Sequence, residues 1–139
     1  MNDLHQVAAL SKVWEEEDIT YGLKGNSIDD LLHYVSNEFW IVIDHEKVIG
    51  YLIGEVKKNE GFVIFEESEQ SYFEIDEIYI DPDYRERKIG SVLLSEVTSH
   101  VKEKGTNRII VSSANKDLKK TMEFYEKNGF QSWTITLFK

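Results

Sequence analysis

Cysteine is absent from this chain of 139 residues, and proline occurs once. Without cysteine the chain can form no disulfide and can offer no thiolate as a nucleophile or metal ligand. The absence suits a reducing compartment, and no basic segment followed by an apolar one marks a secretory signal at the start. We therefore expect a cytoplasmic protein. The four histidines are scattered along the chain, so no metal site is expected.

Long apolar runs and basic residues are also in short supply. No stretch approaches the ~18 apolar residues that span a bilayer, so no membrane association is expected. The 26 acidic residues outnumber 16 basic ones, which gives a formal net charge of −10. This charge would repel a nucleic-acid backbone and attract amines and other cations. The length is that of one domain, so residues 1–139 are predicted to form a single unit.

The first part of the chain predicts two helices and three antiparallel strands. Helical spacing places one helix after a cap at Asn2 or Asp3. A second helix starts at Ser27, with Leu32 and Val35 expected on its buried side. Apolar segments joined by short polar turns predict three neighbouring strands, at 39–44, 48–56 and 62–65.

The second part predicts strands that alternate with helices. A strand at 72–80 should stop at Asp81-Pro82, because proline has no amide hydrogen to donate. A helical crossover to a following strand makes the two strands parallel, so the fold class is α/β with a mixed sheet. The elements expected after that first strand are a helix from Gly90 to Lys104 with Val92 in its apolar stripe, a buried strand at 108–113, a helix at 117–128 and a strand at 133–138.

The segment "DYRERKIGSVLL", 83–94, concentrates positive charge in an acidic chain. Arg85, Arg87 and Lys88 precede Gly90, where a loop enters a helix. Free amides and the helix dipole make such a place favourable for an anion such as a pyrophosphate. ATP is a less favoured ligand, because the chain lacks the Gly-x-x-x-x-Gly-Lys-Ser/Thr pattern.

Two segments resemble motifs of one superfamily. "IYIDPDYRERKIGSVLL" is similar to the acyl-coenzyme A signature of the GNAT-type N-acetyltransferases, and "ANKDLKKTMEFYEKNGF" resembles their closing motif. The two stand in the family's order, and the resemblance extends over most of 48–139. It implies a single GNAT acyltransferase domain: a mostly antiparallel sheet with one parallel strand pair, helices on both faces, and acetyl-CoA as co-substrate.

The resemblance also implies which residues bind the cofactor. Amides of residues 86–91 would wrap the pyrophosphate, and the strand end at 78–80 would bind the pantetheine where two strands splay apart. Lys88 stands where the family has glycine, so the loop is expected to adopt a conformation open to L-residues. The expected cofactor-binding residues are Ile78, Tyr79, Ile80, Arg85, Glu86, Arg87, Lys88, Ile89, Gly90, Ser91, Asn115 and Tyr125. For the role of Asn115, Ser112 and Ser113 are alternatives.

Acetyl transfer to an amine needs a proton acceptor and a proton donor for the leaving thiolate. The resemblance makes Tyr125 the donor. Carboxylates on the strand 72–80 are the candidate bases, with Glu74 and Asp76 ranked before Glu77, and a water relay is the alternative. Strand alternation places Glu74 and Asp76 on the face of Ile78 and Ile80, unless a bulge reverses the register.

The resemblance implies that the acceptor side is at residues 15–30, which are rich in carboxylates and include Tyr21. A cationic amine would be attracted there, such as a polyamine, an aminoglycoside, or a lysine or N-terminal peptide. The strand 39–44 is expected at an edge of the sheet, where it could pair with a second copy to form a homodimer. The alternative function is a catalytically inactive acyl-CoA-binding sensor or partner module.

Overall fold

The computed structural model describes residues 2–139, which form a four-stranded sheet with helices on both faces. The helices are α1 (Asn2–Glu17), α2 (Ile28–Leu32), α3 (Ile89–Glu103) and α4 (Leu118–Lys127). The strands are β1 (Glu38–Asp44), β2 (Lys47–Lys58), β3 (Ser71–Ile80) and β4 (Ile109–Val111). A 3-10 turn at Pro82–Tyr84 follows β3, which ends where the single proline predicts. No helix within 2–139 is long and apolar enough to cross a membrane.

The sheet has the order β1-β2-β3-β4, with antiparallel pairs except for the parallel pair of β3 and β4. His45 and Glu46 form a tight turn between β1 and β2, and both have positive φ, as a two-residue hairpin requires. This arrangement confirms the predicted mixed α/β sheet. It also places β1 at an edge of the sheet, as expected.

Two apolar clusters hold the helices against the two faces of the sheet. On one face, Val7 and Leu10 of α1 and Leu31 of α2 pack against Tyr51 and Ile53 of β2. On the other face, α3 packs on the sheet with partly buried residues of α4 beside it. The α3 residues of this second cluster are Leu93, Leu94, Val97 and Val101.

A β-bulge at Asp76 divides β3 into two parts. Gly54 of β2 pairs with Ile75, but its neighbour Ile53 pairs with Glu77, which leaves Asp76 as an extra residue. Side chains after the bulge therefore exchange faces: Ile78 joins Ile75 on the α3 face, whereas Glu77 points to the α1 face. The simple alternation was wrong, and the alternative of a reversing bulge is confirmed.

Two expected strands are absent from the described residues. Residues 62–65 belong to a loop, because the Asn59 side chain accepts hydrogen bonds from the Gly61 and Phe62 amides and folds the chain back. β2 consequently pairs directly with β3, and the expected short turn at 57–61 is not a hairpin. Residues 133–138 have no partner strand, since β4 is three residues long and offers a short ladder.

Several finer expectations also change. Helix α2 is a single turn with a capping box between Ser27 and Asp30, so Leu32 and Val35 are exposed instead of buried. In α3 the apolar stripe includes Leu94, while Val92 is 58% exposed. Strand β4 is only half-buried and ends at Val111, before the expected boundary. Helix α1 already includes Asp3, and the side chain of Asn2, the other expected cap, lies outside the described residues.

Candidate active site

The parallel strands β3 and β4 separate soon after they meet. Their ladder has three residue pairs and ends at Ile75 and Val111, whereas β3 continues to Ile80. Beyond β4 the chain pairs with the acceptor-side segment instead, because the Tyr21 backbone amide donates to the Ala114 carbonyl at 3.0 Å. A gap therefore opens along residues 76–80, and it is open to both faces of the sheet.

The Glu77 carboxylate lies beside this gap on the α1 face. The Asn26 side-chain amide donates to both of its oxygens at 2.8 Å, and the Tyr51 hydroxyl donates to one of them at 2.9 Å. Partial burial raises the pKa of Glu77 above its usual 4.5, although these two donors oppose the shift; the nearby Asp76 and Asp30 raise it further. A half-buried carboxyl with a raised pKa is suited to accept a proton near neutral pH.

The other two candidate bases are held differently. Glu74 forms an ion pair with Lys57 at 3.2 Å, and it lies opposite Glu55 across the β2–β3 ladder. Asp76 is exposed at the bulge, where partial desolvation and the Glu74 carboxylate raise its pKa. Glu77 alone among the three accepts hydrogen bonds from two neutral side chains, and these orient its carboxylate.

The loop before α3 has two residues in the left-handed region. Glu86 has φ 64° and Lys88, the N-cap of α3, has φ 62°. Lys88 therefore takes the conformation that the family's glycine would favour, and the expectation of an ordinary L-residue conformation was wrong. No side chain caps α3, so the amides of residues 89–91 have no capping partner. This set of free donors fits an anion.

Arg85 is engaged with α1. Its terminal nitrogens donate to the two Glu17 carboxylate oxygens at 2.5 and 2.8 Å, and its Nε donates to the Ile80 carbonyl at 3.2 Å. The Tyr79 hydroxyl also donates to Glu17, and the Tyr79 ring stacks on Trp14 with centroids 4.8 Å apart. Arg85 therefore fixes the end of β3 to the end of α1, and its charge is already balanced.

Exposed cations remain at the loop itself. Arg87 lies over the Tyr84 ring, 5.1 Å from its centroid, and both Arg87 and Lys88 are exposed. Gly90 gives α3 its close approach to α4, since a Cβ there would lie 3.2 Å from the Phe124 ring. Ser91 accepts a hydrogen bond from Asn128 at 3.1 Å, which joins the same two helices. Ile89, in the first turn of α3, contributes one of the free amides.

Tyr125 lies on the α3 face among aromatic side chains. Its ring meets those of Phe124 and Phe130 edge-on, with centroids 5.1 and 5.3 Å apart. Burial raises the pKa of Tyr125 to about 12, so the phenol keeps its proton at neutral pH. Glu77 and Tyr125 are therefore on opposite faces of the sheet, and the β3–β4 gap is where those faces meet.

Asn115 takes part in the loop after β4. Its side-chain oxygen accepts a hydrogen bond from the Asp117 amide at 2.8 Å, and its backbone amide donates to Ser113 Oγ at 3.2 Å. The carbonyl of this side chain is thus used in a local turn. Ser112, the other alternative for its role, is exposed.

The acceptor-side segment packs on α1 and contributes more carboxylates. Asp30 and Tyr34 come close enough to Glu77 to interact with it electrostatically, and burial is the main cause of a raised pKa at Tyr34. Tyr21 is 54% exposed and meets Phe138 edge-on at 5.6 Å. The face above Glu77 is therefore acidic and partly aromatic, which suits a cation.

Sequence reasoning did not find Asn26, Tyr51 or Glu17. Each of them is identified by a contact with a residue far along the chain, and no local motif contains such a pair. A glutamate at the end of a helix, such as Glu17, and a tyrosine in a strand, such as Tyr51, are common, so neither residue indicated a site by itself.

Sequence comparison relates the chain to known proteins. Residues 1–130 match the sequence model of the acetyltransferase (GNAT) family. A relative from Methanocaldococcus jannaschii, described as an uncharacterized N-acetyltransferase, is 34% identical over 89 residues. That match covers 59% of this chain and 39% of the relative, so the chain spans less than half of the relative's length.

Solved structures share the fold. An aminoglycoside antibiotic 6'-N-acetyltransferase from Acinetobacter haemolyticus gives a TM-score of 0.74 at 13% identity, covering 99% of this chain and 91% of that chain. An aminoglycoside N-acetyltransferase in complex with CoA gives a TM-score of 0.72 at 13% identity, covering 99% and 92% of the two chains. At these identities the likeness concerns the fold, and it agrees with the fold predicted from the sequence.

Proposed function

Since the chain belongs to the GNAT acetyltransferase family, we propose that it is an N-acetyltransferase that moves an acetyl group from acetyl-CoA to a cationic amine. The observation that carries the proposal is the placement of Glu77, a half-buried carboxylate with a raised pKa beside the gap between two parallel strands. The acidic α1 face would receive the amine, and the α3 face would receive the cofactor.

The residues around the gap fit coenzyme A. Uncapped amides of residues 89–91 and the exposed side chains of Arg87 and Lys88 would hold the pyrophosphate. The backbone of 78–80, which lacks a neighbouring strand on its gap side, would hydrogen-bond the pantetheine amides. Acetyl-CoA supplies an activated thioester when it is bound.

In the proposed reaction Glu77 accepts a proton from the amine, whose nitrogen then attacks the thioester carbonyl. The new nitrogen–carbon bond replaces the carbon–sulfur bond, and Tyr125 donates a proton to the departing sulfur. The protonated Tyr125 and the ionised Glu77 are the required forms. Since Glu77 must be ionised, kcat/KM should fall as the pH drops through the pKa of Glu77. The midpoint of this acid limb of the pH profile should lie above the pKa range of an ordinary carboxyl.

The test is thiol release from acetyl-CoA with a panel of polyamines, aminoglycosides and peptides. The wild-type chain should release thiol with at least one amine, and Glu77→Gln should lower kcat by about 10²–10⁴-fold. Glu74→Gln and Asp76→Asn are matched controls from the same strand and should change kcat by less than about 5-fold. Tight acetyl-CoA binding without thiol release for any amine would instead favour a binding module.

Tyr125→Phe tests the proton donor. The change removes one hydroxyl from an aromatic cluster, so packing should be conserved while kcat falls by about 10-fold or more. Acetyl-CoA affinity, measured by calorimetry, should change by less than about 3-fold. If kcat stays at the wild-type value, Tyr125 serves packing only.

A further inference from the structure

Asn26 is the most direct partner of the Glu77 carboxylate, although it lies 51 positions away in the chain. Its side-chain nitrogen is 2.8 Å from both carboxylate oxygens, so the amide bridges the two oxygens of one carboxylate. This bridging contact fixes the rotation of the carboxylate about its last torsion. With Tyr51 on one oxygen, the other oxygen keeps an acceptor position for an incoming proton.

Asn26 is itself held by contacts with α1. Its backbone amide donates to Ser11 Oγ at 2.7 Å, and the Ser11 side chain is fully buried. The preceding amide, of Gly25, donates to Glu15 Oε1 at 2.7 Å. The segment therefore cannot move off α1 without breaking two hydrogen bonds, one of them inside the core.

Gly25 lets this segment lie close enough to α1. A Cβ at this position would be 3.1 Å from the Ser11 carbonyl oxygen and 3.3 Å from the Lys12 Cα. Both are backbone atoms of a helix, which cannot yield as a flexible side chain would. A larger residue at position 25 would lift the segment and withdraw Asn26 from Glu77.

We propose that Asn26 is the positioning residue of the active site: it holds Glu77 in its proton-accepting orientation and joins the acceptor-side segment to the base. The inference rests on the proposed function of Glu77. Donors to a carboxylate favour its ionised form, so Asn26 and Tyr51 also oppose the effect of burial and of the Asp30 and Asp76 carboxylates, which favour the protonated form of Glu77.

The test compares Asn26→Ala, Asn26→Asp and Gly25→Ala, with Asn107→Ala as a control at an exposed asparagine. Asn26→Asp keeps the shape but replaces the donor with an acceptor, so a role in packing alone would leave it active. We expect kcat to fall about 10-fold for Asn26→Ala and about 100-fold for Asn26→Asp, with the acid limb of kcat/KM displaced to higher pH in both.

Gly25→Ala should reproduce the pH profile of Asn26→Ala, although it deletes no hydrogen-bonding side chain. Acetyl-CoA affinity should stay within about 3-fold of the wild type in every variant, because the cofactor loop is on the other face. If Glu77→Gln is inactive while Asn26→Asp keeps the wild-type kcat and acid limb, the positioning role is wrong. If Glu77→Gln is itself fully active, the proposed function of Glu77 fails first, independently of Asn26.

Discussion

Lys88 carries a conformational cost at the most charged part of the chain. A lysine at φ 62° and ψ 17° occupies the left-handed region, in which its Cβ crowds the backbone. Glycine has no Cβ and is not strained there. The same backbone conformation starts α3 with its amides uncapped. The loop therefore keeps the geometry that favours an anion even though its residue type has changed.

A comparison of Lys88→Gly with Lys88→Ala separates the backbone effect from the charge. Both changes remove the ammonium, but only glycine relieves the left-handed conformation. We expect Lys88→Gly to be about 1 kcal/mol more stable than Lys88→Ala in urea unfolding. Both variants should bind acetyl-CoA less tightly than the wild type at low salt, and the difference should shrink at high salt. Equal stability of the two variants would show that the strain is negligible.

Among the elements, α1 and the end of β3 are joined by the pair of Glu17 and Arg85. The pair is half-buried, and it is reinforced by Tyr79 and by the Ile80 carbonyl. The acceptor-side segment, residues 15–30, includes Glu17, and the cofactor loop starts at Arg85. One contact therefore sets the distance between the two proposed substrate-binding regions.

A double-mutant cycle with Glu17→Ala and Arg85→Ala measures this link. We expect each single change to destabilise the fold and the pair to show a coupling of about 1–2 kcal/mol, because a half-buried charge loses its partner in each single variant. Glu16→Ala, on the exposed side of the same helix, is the control. If Arg85 binds pyrophosphate instead, Arg85→Ala will weaken acetyl-CoA binding while Glu17→Ala leaves it unchanged.

The elements show how far the sequence could predict the fold. Helix α3 and strand β3 were predicted because glycine, proline and apolar spacing mark their ends locally. Residues 62–65 and 133–138 have strand-like composition, but a strand also needs a partner, and no local pattern specifies one. Motifs identified the cofactor loop and Tyr125, whose roles stay predictions. Asn26 and Glu17 were missed, because their contacts bridge 51 and 68 positions.

For the whole molecule, the open edge of β1 leaves association with a second copy as a prediction. β1 has β2 on one side, and the described residues place no strand on the other. Trp40 and Val42 point to the α3 face, so pairing there would extend the sheet without rearranging the core. Sedimentation velocity at micromolar concentration should show a dimer, and Val42→Pro on that edge should shift it to monomer. A single monomer species in the wild type would contradict the prediction.

The gap between β3 and β4 makes the sheet incomplete, and with the proposed acetyl-CoA binding the protein's stability would depend on metabolite supply. Backbone groups along 76–79 have no neighbouring strand on the gap side and would be available to a ligand. A ligand that binds only the folded chain stabilises it by mass action, by about 2.7 kcal/mol at a concentration of 100 times Kd. The survival of the folded protein would then rise and fall with the cell's supply of acetyl-CoA, beyond any effect on turnover.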